Sequence, residues 1–233
     1  MIYLLVKMGG SGIRFGADIP KQYVELNGQP LFYWLLHQYK NMSIVNGYIL
    51  VSHPSWIEYT QKIAERLLGD KLLGVVPGGN TMSKSIYNGV MFARNYLKDN
   101  DVLLIHDVTN PVVALEQIDD VVDAARDRGF CVLTTEQVHT IYRIDEENNI
   151  KYVIPKQEVS SGYSPEGFLF GKIYDCYLSA KPEELEQMTS AIALAKAHDA
   201  QAKAVKSHII NLKITYKEDF DTYKRIVERS GLL

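Results

Sequence analysis

A glycine-rich loop with two basic residues, close to the start of the chain, has the composition of a polyphosphate-binding site. The loop follows the apolar run 2–6 and contains four glycines: Gly9, Gly10, Gly12 and Gly16. Glycines allow sharp turns and close backbone approach to a ligand, and successive N–H groups in such a turn form an anion-binding concavity. Arg14 lies within the loop, and Lys21 follows it after Pro20. We interpret the segment as a polyphosphate cradle; the alternative is an ordinary glycine-rich turn.

Two common phosphate-binding motifs do not fit this loop. The GxxxxGK[ST] motif requires a Lys-Ser or Lys-Thr pair, which the loop lacks. The GxGxxG dinucleotide motif also fails, because Gly10-x-Gly12 is followed by Arg14-Phe15 and Pro20 rather than by a clear helix start. The loop therefore belongs to another class of anion site.

Five short apolar runs predict the strands that carry this loop. Continuous hydrophobicity is typical of parallel strands that are covered on both faces. The predicted strands are 2–6, 47–51, 72–76, 102–105 and 131–135, and the predicted helices are 31–39, 55–68, 83–95 and 115–126. Ser55 is the expected cap of the second helix, with Glu58 as its capping-box partner. This alternation predicts an α/β fold with one doubly wound, mostly parallel sheet over residues 1–233, whose ligands bind beyond the carboxyl ends of the strands.

Bulk properties exclude several functions. The net charge of −3 gives no basic surface of the kind that nucleic-acid binding requires. No apolar stretch is long enough to predict a membrane span, and the first residues lack the basic start of a signal peptide. Cys131 and Cys176 form neither a metal-ligand spacing nor a disulfide framework, which favours buried free thiols in a reducing compartment. We therefore expect a cytoplasmic protein.

Six motifs, in order, resemble those of the cytidylyltransferases that form CDP-polyols. They are residues 9–16 with Pro20-Lys21-Gln22-Tyr23, Gly78-Gly79 through Ser85-Ile86-Tyr87-Asn88-Gly89, Ile105-His106-Asp107 with Pro111, Thr140-Ile141, Ser164-Pro165-Glu166-Gly167-Phe168, and Asn211-Leu212-Lys213-Ile214-Thr215. Two branches of that family act on methylerythritol 4-phosphate in isoprenoid synthesis and on ribitol 5-phosphate in teichoic-acid synthesis. The resemblance implies a Rossmann-like nucleotidyltransferase that converts CTP and a polyol phosphate into a CDP-polyol and pyrophosphate.

The resemblance also implies roles for particular residues. The catalytic residues would be Arg14, Lys21 and Lys213, all beside the reacting phosphates. Asp107 would hold Mg²⁺; a helix-capping aspartate is the alternative. The residues expected to bind the nucleotide are Gly9, Gly10, Ser11, Gly12, Gly79, Asn80 and Ser85, and those expected to bind the acceptor are Asn110, Thr140, Lys156 and Ser164. His106 is expected to be structural, because the reaction needs neither a nucleophile nor a base from the protein.

Residues 139–158 predict a β-hairpin. Two short apolar-aromatic runs, 140–144 and 150–154, flank a polar turn. In the related enzymes this arm reaches a partner subunit, so the resemblance implies a homodimer. The alternative is a monomeric surface hairpin.

The chain departs from the family pattern at several positions of the site: Met8, Met82, Asn110, His139, Lys156 and Ser190. Met82 and Asn110 each stand where the pattern has an arginine, so the positive charge of the site falls. These changes favour an altered acceptor, and the opening Met-Ile-Tyr with the double glycine favours the ribitol 5-phosphate branch. The alternatives are a slow generalist and a non-catalytic nucleotide-binding homologue that acts as an interaction or regulatory module. A sugar 1-phosphate nucleotidyltransferase is disfavoured, because those relatives have longer chains.

Overall fold

The computed structural model describes residues 1–113, 115–208 and 212–230. Its strands are β1 (Ile2–Met8), β2 (Glu25–Leu26), β3 (Gln29–Pro30), β4 (Gly47–Ser52), β5 (Leu72–Pro77), β6 (Val102–Asp107), β7 (Phe130–Glu136), β8 (Ile141–Ile144), β9 (Ile150–Ile154), β10 (Ser160–Leu169) and β11 (Lys203–Lys206). Its α-helices are α1 (Leu31–Lys40), α2 (Ile57–Leu68), α3 (Met82–Ala93), α4 (Ile118–Arg128), α5 (Phe170–Ser179), α6 (Pro182–Gln187), α7 (Ala191–Ala197) and α8 (Lys217–Ser230). None of the helices in these ranges is both long and apolar enough to cross a membrane.

The central element is a seven-stranded sheet in the order β11-β7-β10-β6-β1-β4-β5. β1 pairs in parallel with β4 on one side and with β6 on the other, which makes it the strand where the order reverses. β10 alone runs antiparallel, between β6 and β7. The prediction of a doubly wound, mostly parallel α/β sheet is therefore confirmed.

Both faces of the sheet are buried, as the apolar runs predicted. Leu4 and Val6 of β1 pack in a cluster with residues of α1, α2 and α4. Leu5, between them, points to the opposite face and packs in a second cluster with residues of α3, α5 and α7. Because each face of β1 meets a helical layer, hydrophobicity is continuous along the strand.

The helix boundaries correct the sequence analysis in two places. Ser55 does not cap α2, because Pro54 starts a short 3₁₀ turn in which His53 Nδ1 accepts a hydrogen bond from the Ser55 N–H (3.3 Å). The predicted helix 115–126 is also a 3₁₀ turn at first, and α4 begins only at Ile118. α4 ends at Arg128, and the next residue, Gly129, has a φ of +88°, a left-handed conformation that glycine tolerates.

Most elements in the C-terminal third of the chain were not predicted from the sequence. β10, β11 and the helices α5 to α8 were not predicted, although the motif 164–168 lies within β10. The first residue of the last motif, Asn211, lies outside the described residues.

The predicted hairpin is present in the arm 139–158. β8 and β9 pair antiparallel and form a two-stranded sheet of their own. Most of the large apolar side chains on the arm are exposed: Tyr142, Ile144, Ile150, Tyr152 and Val153. The arm therefore presents an apolar surface that its own chain leaves uncovered.

Candidate active site

A cleft of about 890 Å³ opens at the carboxyl ends of the central parallel strands. Its walls come from the glycine loop after β1, the turn after β5, the end of β6 and the segment around Lys213. Ligands of doubly wound sheets bind at such strand ends, where the strand order reverses. The cleft is therefore where a nucleotide would be expected to bind.

Backbone contact between two loops shapes the floor of the cleft. A Cβ at Gly78 would lie 2.9 Å from the Cα of Gly9, and a Cβ at Gly9 would lie 3.1 Å from the Cα of Gly78. Only glycine allows the loops after β1 and β5 to approach this closely. Gly12, with a φ of +68°, turns the first loop back towards Lys21.

Gln22 holds the glycine loop from below. Its Nε2 donates hydrogen bonds to the carbonyl oxygens of Met8 and Gly10, both at 2.7 Å, and the side chain is buried. Gln22 lies in the first of the six motifs, but its role could not be predicted from that motif. The sequence signal that could have identified it is an amide side chain directly after Pro20-Lys21, at the end of the glycine loop.

The turn after β5 is held by its own hydroxyl groups. Ser85 Oγ accepts a hydrogen bond from the N–H of Gly79 (3.0 Å) and donates one to the carbonyl oxygen of Thr81 (2.8 Å). Thr81 Oγ1 in turn accepts from the N–H of Lys84 and so caps α3. These bonds present Gly79 and Asn80 to the cleft, whereas the Ser85 hydroxyl is already engaged in the turn.

Asp107 lies at the centre of the charged groups. Its Oδ1 accepts hydrogen bonds from the N–H (2.9 Å) and the hydroxyl (2.8 Å) of Thr109. Its Oδ2 lies 3.8 Å from Lys7 Nζ and 3.7 Å from Lys213 Nζ. Burial alone would raise the pKa of Asp107, but the two lysine charges and the Thr109 hydrogen bonds outweigh it and lower the pKa from 3.8 to about 2. The carboxylate is therefore ionised at neutral pH.

Lys21 and Lys213 are brought together by the C-terminal segment. Lys21 Nζ donates a hydrogen bond to the carbonyl oxygen of Ile214 (2.6 Å), and the N–H of Ile214 donates to the carbonyl oxygen of Thr109 (2.7 Å). Ile214 is fully buried in a cluster with residues of α1 and α8. Burial, followed by the charges of Lys213 and Arg14, lowers the pKa of Lys21 against the opposing effect of Asp107. Crowded cations of this kind are suited to holding a polyanion.

The cleft offers one group suited to Mg²⁺. Oδ2 of Asp107 accepts no hydrogen bond from the described residues and borders the cleft. Mg²⁺ is commonly held by one or two carboxylates together with substrate phosphates. Within residues 1–113, 115–208 and 212–230, no three His, Cys, Asp or Glu side chains group as an all-protein metal site. Asp107 therefore fits a metal that is completed by the phosphates of a nucleotide.

The structure gathers most of the predicted site residues at the cleft. The lining includes Gly9, Gly10, Ser11, Gly12, Arg14, Lys21, Gly79, Asn80, Ser85, Asp107 and Lys213. It also includes Lys7, Gln22, His53 and Thr109, to which the sequence analysis gave no role.

Two of the predicted acceptor residues lie beneath the cleft. Asn110 is buried, and its Nδ2 donates to the carbonyl oxygen of Leu212 (3.2 Å). Ser164 is also buried, and its Oγ accepts from the N–H of Asp107 (2.9 Å). In this arrangement both side chains support the chain segments that carry Asp107 and Lys213.

The other two lie on the exposed arm. Thr140 and Lys156 do not border the cleft of their own chain as described. Lys156 Nζ donates to the carbonyl oxygen of Val138 (2.8 Å), the residue just before the arm. His106, by contrast, is fully buried between Tyr39 and the backbone of Asn110, and burial lowers its pKa to about 4. That placement agrees with the structural role expected for it.

A glycine loop and converging lysines at the switch point of a doubly wound sheet form a site suited to a phosphorylated nucleotide. The family model described as "IspD: 2-C-methyl-D-erythritol 4-phosphate cytidylyltransferase" matches residues 2–229. The chain belongs to this family of polyol-phosphate cytidylyltransferases, and the suspected resemblance is confirmed.

Individual relatives match this chain over nearly the whole length of both chains. The chain is 30% identical over 230 residues to a 2-C-methyl-D-erythritol 4-phosphate cytidylyltransferase of Clostridium botulinum, covering 98% of this chain and 100% of the relative. It is 26% identical to a ribitol-5-phosphate cytidylyltransferase of Vibrio parahaemolyticus, covering 96% and 94%. The fold matches a 4-diphosphocytidyl-2C-methyl-D-erythritol synthase of Anaerococcus prevotii with a TM-score of 0.81, at 21% identity over 98% and 96% of the two chains. These relatives favour an enzyme over a non-catalytic homologue.

Proposed function

We propose that the cleft transfers the cytidylyl group of CTP to ribitol 5-phosphate. A phosphate oxygen of the acceptor attacks the α-phosphorus and forms a new P–O bond. The bond from that phosphorus to the oxygen bridging to the β-phosphate breaks, and pyrophosphate leaves with its electron pair. The observation that supports this reaction is the convergence of Arg14, Lys21 and Lys213 around Asp107 in one cleft.

The proposed roles follow from the charges. Such a reaction asks the protein to place two anions together and to neutralise the charge that develops between them. Arg14 and Lys21 bind the triphosphate, and Lys213 binds the reacting phosphates from the other side of Asp107. The backbone of the glycine loop and of the turn at Gly79 positions the nucleotide. When bound, Mg²⁺ would neutralise phosphate charge, and Asp107 is the residue that would hold it.

The choice of acceptor rests on the chain's own sequence. The opening Met-Ile-Tyr and the double glycine Gly9-Gly10 favour ribitol 5-phosphate over methylerythritol 4-phosphate.

We further propose that the arm 139–158 joins two copies of this chain. Its exposed apolar side chains lie on a hairpin that would be marginal by itself in water. In such a dimer Thr140 and Lys156 would reach the acceptor site of the partner subunit, which explains why they do not border their own cleft. The two buried free thiols, Cys131 and Cys176, fit the proposed cytoplasmic location.

The first experiment measures pyrophosphate release from CTP and Mg²⁺ with a panel of acceptors. Ribitol 5-phosphate, methylerythritol 4-phosphate, glycerol 3-phosphate and pentose phosphates are compared, with UTP and ATP as nucleotide controls. We expect turnover with CTP and the highest kcat/KM with ribitol 5-phosphate. A higher kcat/KM with methylerythritol 4-phosphate would overturn the proposed choice of acceptor. No turnover with any acceptor would overturn the proposed cytidylyltransferase reaction.

The arm is tested by complementation. A Lys21→Ala chain and a Lys156→Ala chain are mixed after mild unfolding and refolding. If sites are shared between subunits, mixed dimers contain one intact site and recover activity that neither variant has alone. Light scattering gives the mass, and a monomer would overturn the dimer.

A further inference from the structure

Lys7 is a basic residue in the cleft to which neither the family pattern nor the proposed mechanism gives a role. It lies in β1, opposite Asp107 in the register with β6, and its side chain is only 12% exposed. Its Nζ donates a hydrogen bond to the Met82 sulfur (3.2 Å) and lies 3.8 Å from Asp107 Oδ2. Burying a charge is costly, and the carboxyl groups of Asp107 and Glu166, which both interact with the charge of Lys7, offset part of that cost.

The partners of Lys7 leave its donors underused. An ammonium carries three N–H donors, and a thioether sulfur is a weak acceptor. The distance to Asp107 exceeds that of a normal charge-assisted hydrogen bond. Lys7 is thus held at the cleft by charge while keeping the capacity to bind an anion there.

The position of Lys7 indicates which part of a bound nucleotide it would contact. Met82 begins α3, directly after the turn that carries Gly79 and Asn80, and Asp107 lies beyond it towards Lys213. Lys7 therefore lies between the turn proposed to position the nucleoside and the lysines proposed to bind the reacting phosphates. The phosphate nearest the nucleoside is the α-phosphate.

We infer that Lys7 contacts the α-phosphate of CTP and is a catalytic residue of this enzyme. The inference rests on the proposed binding of CTP in this cleft. Negative charge builds on the oxygens of the α-phosphorus as the acceptor attacks, and a fixed ammonium stabilises that charge. Lys7 also explains why position 82 carries an uncharged residue, Met82. A cation at that position would lie about as close to Lys7 as the sulfur does, and the two positive charges would repel each other.

The test compares cytidine, CMP and CTP binding by calorimetry in the presence of Mg²⁺. Lys7→Met removes the charge at similar volume, and Lys7→Met/Met82→Lys returns it from the neighbouring side chain. Lys206→Met, at an exposed ion pair with Glu136, is the control for loss of one positive charge. Lys7→Gln is the second variant if Lys7→Met does not fold, and circular dichroism checks both.

We expect Lys7→Met to weaken the binding of CMP and CTP about tenfold or more, which corresponds to the loss of one charge-assisted hydrogen bond. The affinity for cytidine should stay unchanged. In Lys7→Met/Met82→Lys the lysine at position 82 should restore part of the lost affinity. In Lys7→Met, kcat should fall even at saturating CTP. If the affinity for CMP is unchanged, or if the affinity for cytidine falls by the same factor, the role of Lys7 is wrong. The proposed cytidylyltransferase function would not be affected by either result. Failure of the unaltered protein to bind CTP would overturn the proposed function itself, and the role of Lys7 with it.

Discussion

The Nζ of Lys21 donates a hydrogen bond to the carbonyl oxygen of Ile214 at 2.6 Å, across 193 positions of the chain. This bond ties the end of the glycine loop to the segment that carries Lys213. The carbonyl oxygen partly satisfies a half-buried ammonium whose pKa is lowered by burial and by neighbouring cations. In the proposed mechanism, Lys21 therefore links the assembly of the cleft to the binding of phosphate.

Lys21→Ala is expected to lower kcat about 100-fold or more, because an electrostatic contact to the transferring phosphate is lost. Pyrophosphate release at saturating CTP measures the change, and circular dichroism confirms the fold. Lys196→Ala, at an exposed position of α7, is the matched control. Activity within threefold of the unaltered protein would remove Lys21 from the mechanism.

Gln22→Leu is expected to lower the free energy of unfolding by about 1–3 kcal/mol. The substitution leaves the carbonyl oxygens of Met8 and Gly10 without their shared donor and loosens the glycine loop, so KM for CTP rises as well. Urea unfolding measures the stability. Gln61→Leu on the exposed face of α2 serves as control and should change stability by no more than about 0.5 kcal/mol. Equal effects at the two glutamines would contradict the role of Gln22.

Gly78→Ala should destabilise the protein much more than Gly10→Ala. A Cβ at Gly78 would lie 2.9 Å from the Cα of Gly9, so the two loops must separate. A Cβ at Gly10 meets no atom within 4 Å. Thermal unfolding of the two variants measures the difference, which we expect to be about 1–3 kcal/mol. Similar melting temperatures would show that the close approach of the loops is not required.

Asp107 should make stability depend on pH in the acid range. Its folded pKa of about 2 lies below the ordinary value of 3.8, so folding favours the charged form. This contribution, on the order of 2 kcal/mol, is fully present above about pH 4 and is lost as the pH falls towards 2. Urea unfolding of Asp107→Asn and the unaltered protein should differ most at pH 7, less at pH 3, and converge only as the pH falls to 2 and below. A difference that stays constant with pH would contradict the ion pairs with Lys7 and Lys213.

The sequence by itself determined the layered fold and the position of the cleft. Continuous apolar runs indicated strands buried on both faces, and glycines after β1 and β5 indicated turns that approach a ligand. These features depend on local backbone preference and burial, which neighbouring residues encode. Arg14, Lys21 and Asp107 could be identified because each follows such a run or lies in such a turn.

Only the tertiary structure decided what the remaining groups do. A strand covered on both faces gives no pattern that says which face opens on a cleft, so the direction of Lys7 could not be predicted. The antiparallel β10 was missed because its pairing depends on strands far away in the chain. Asn110, which is expected to bind the acceptor, lies buried and donates a hydrogen bond to the segment before Lys213. Contacts over such distances follow from the closure of the whole fold rather than from the residues nearby.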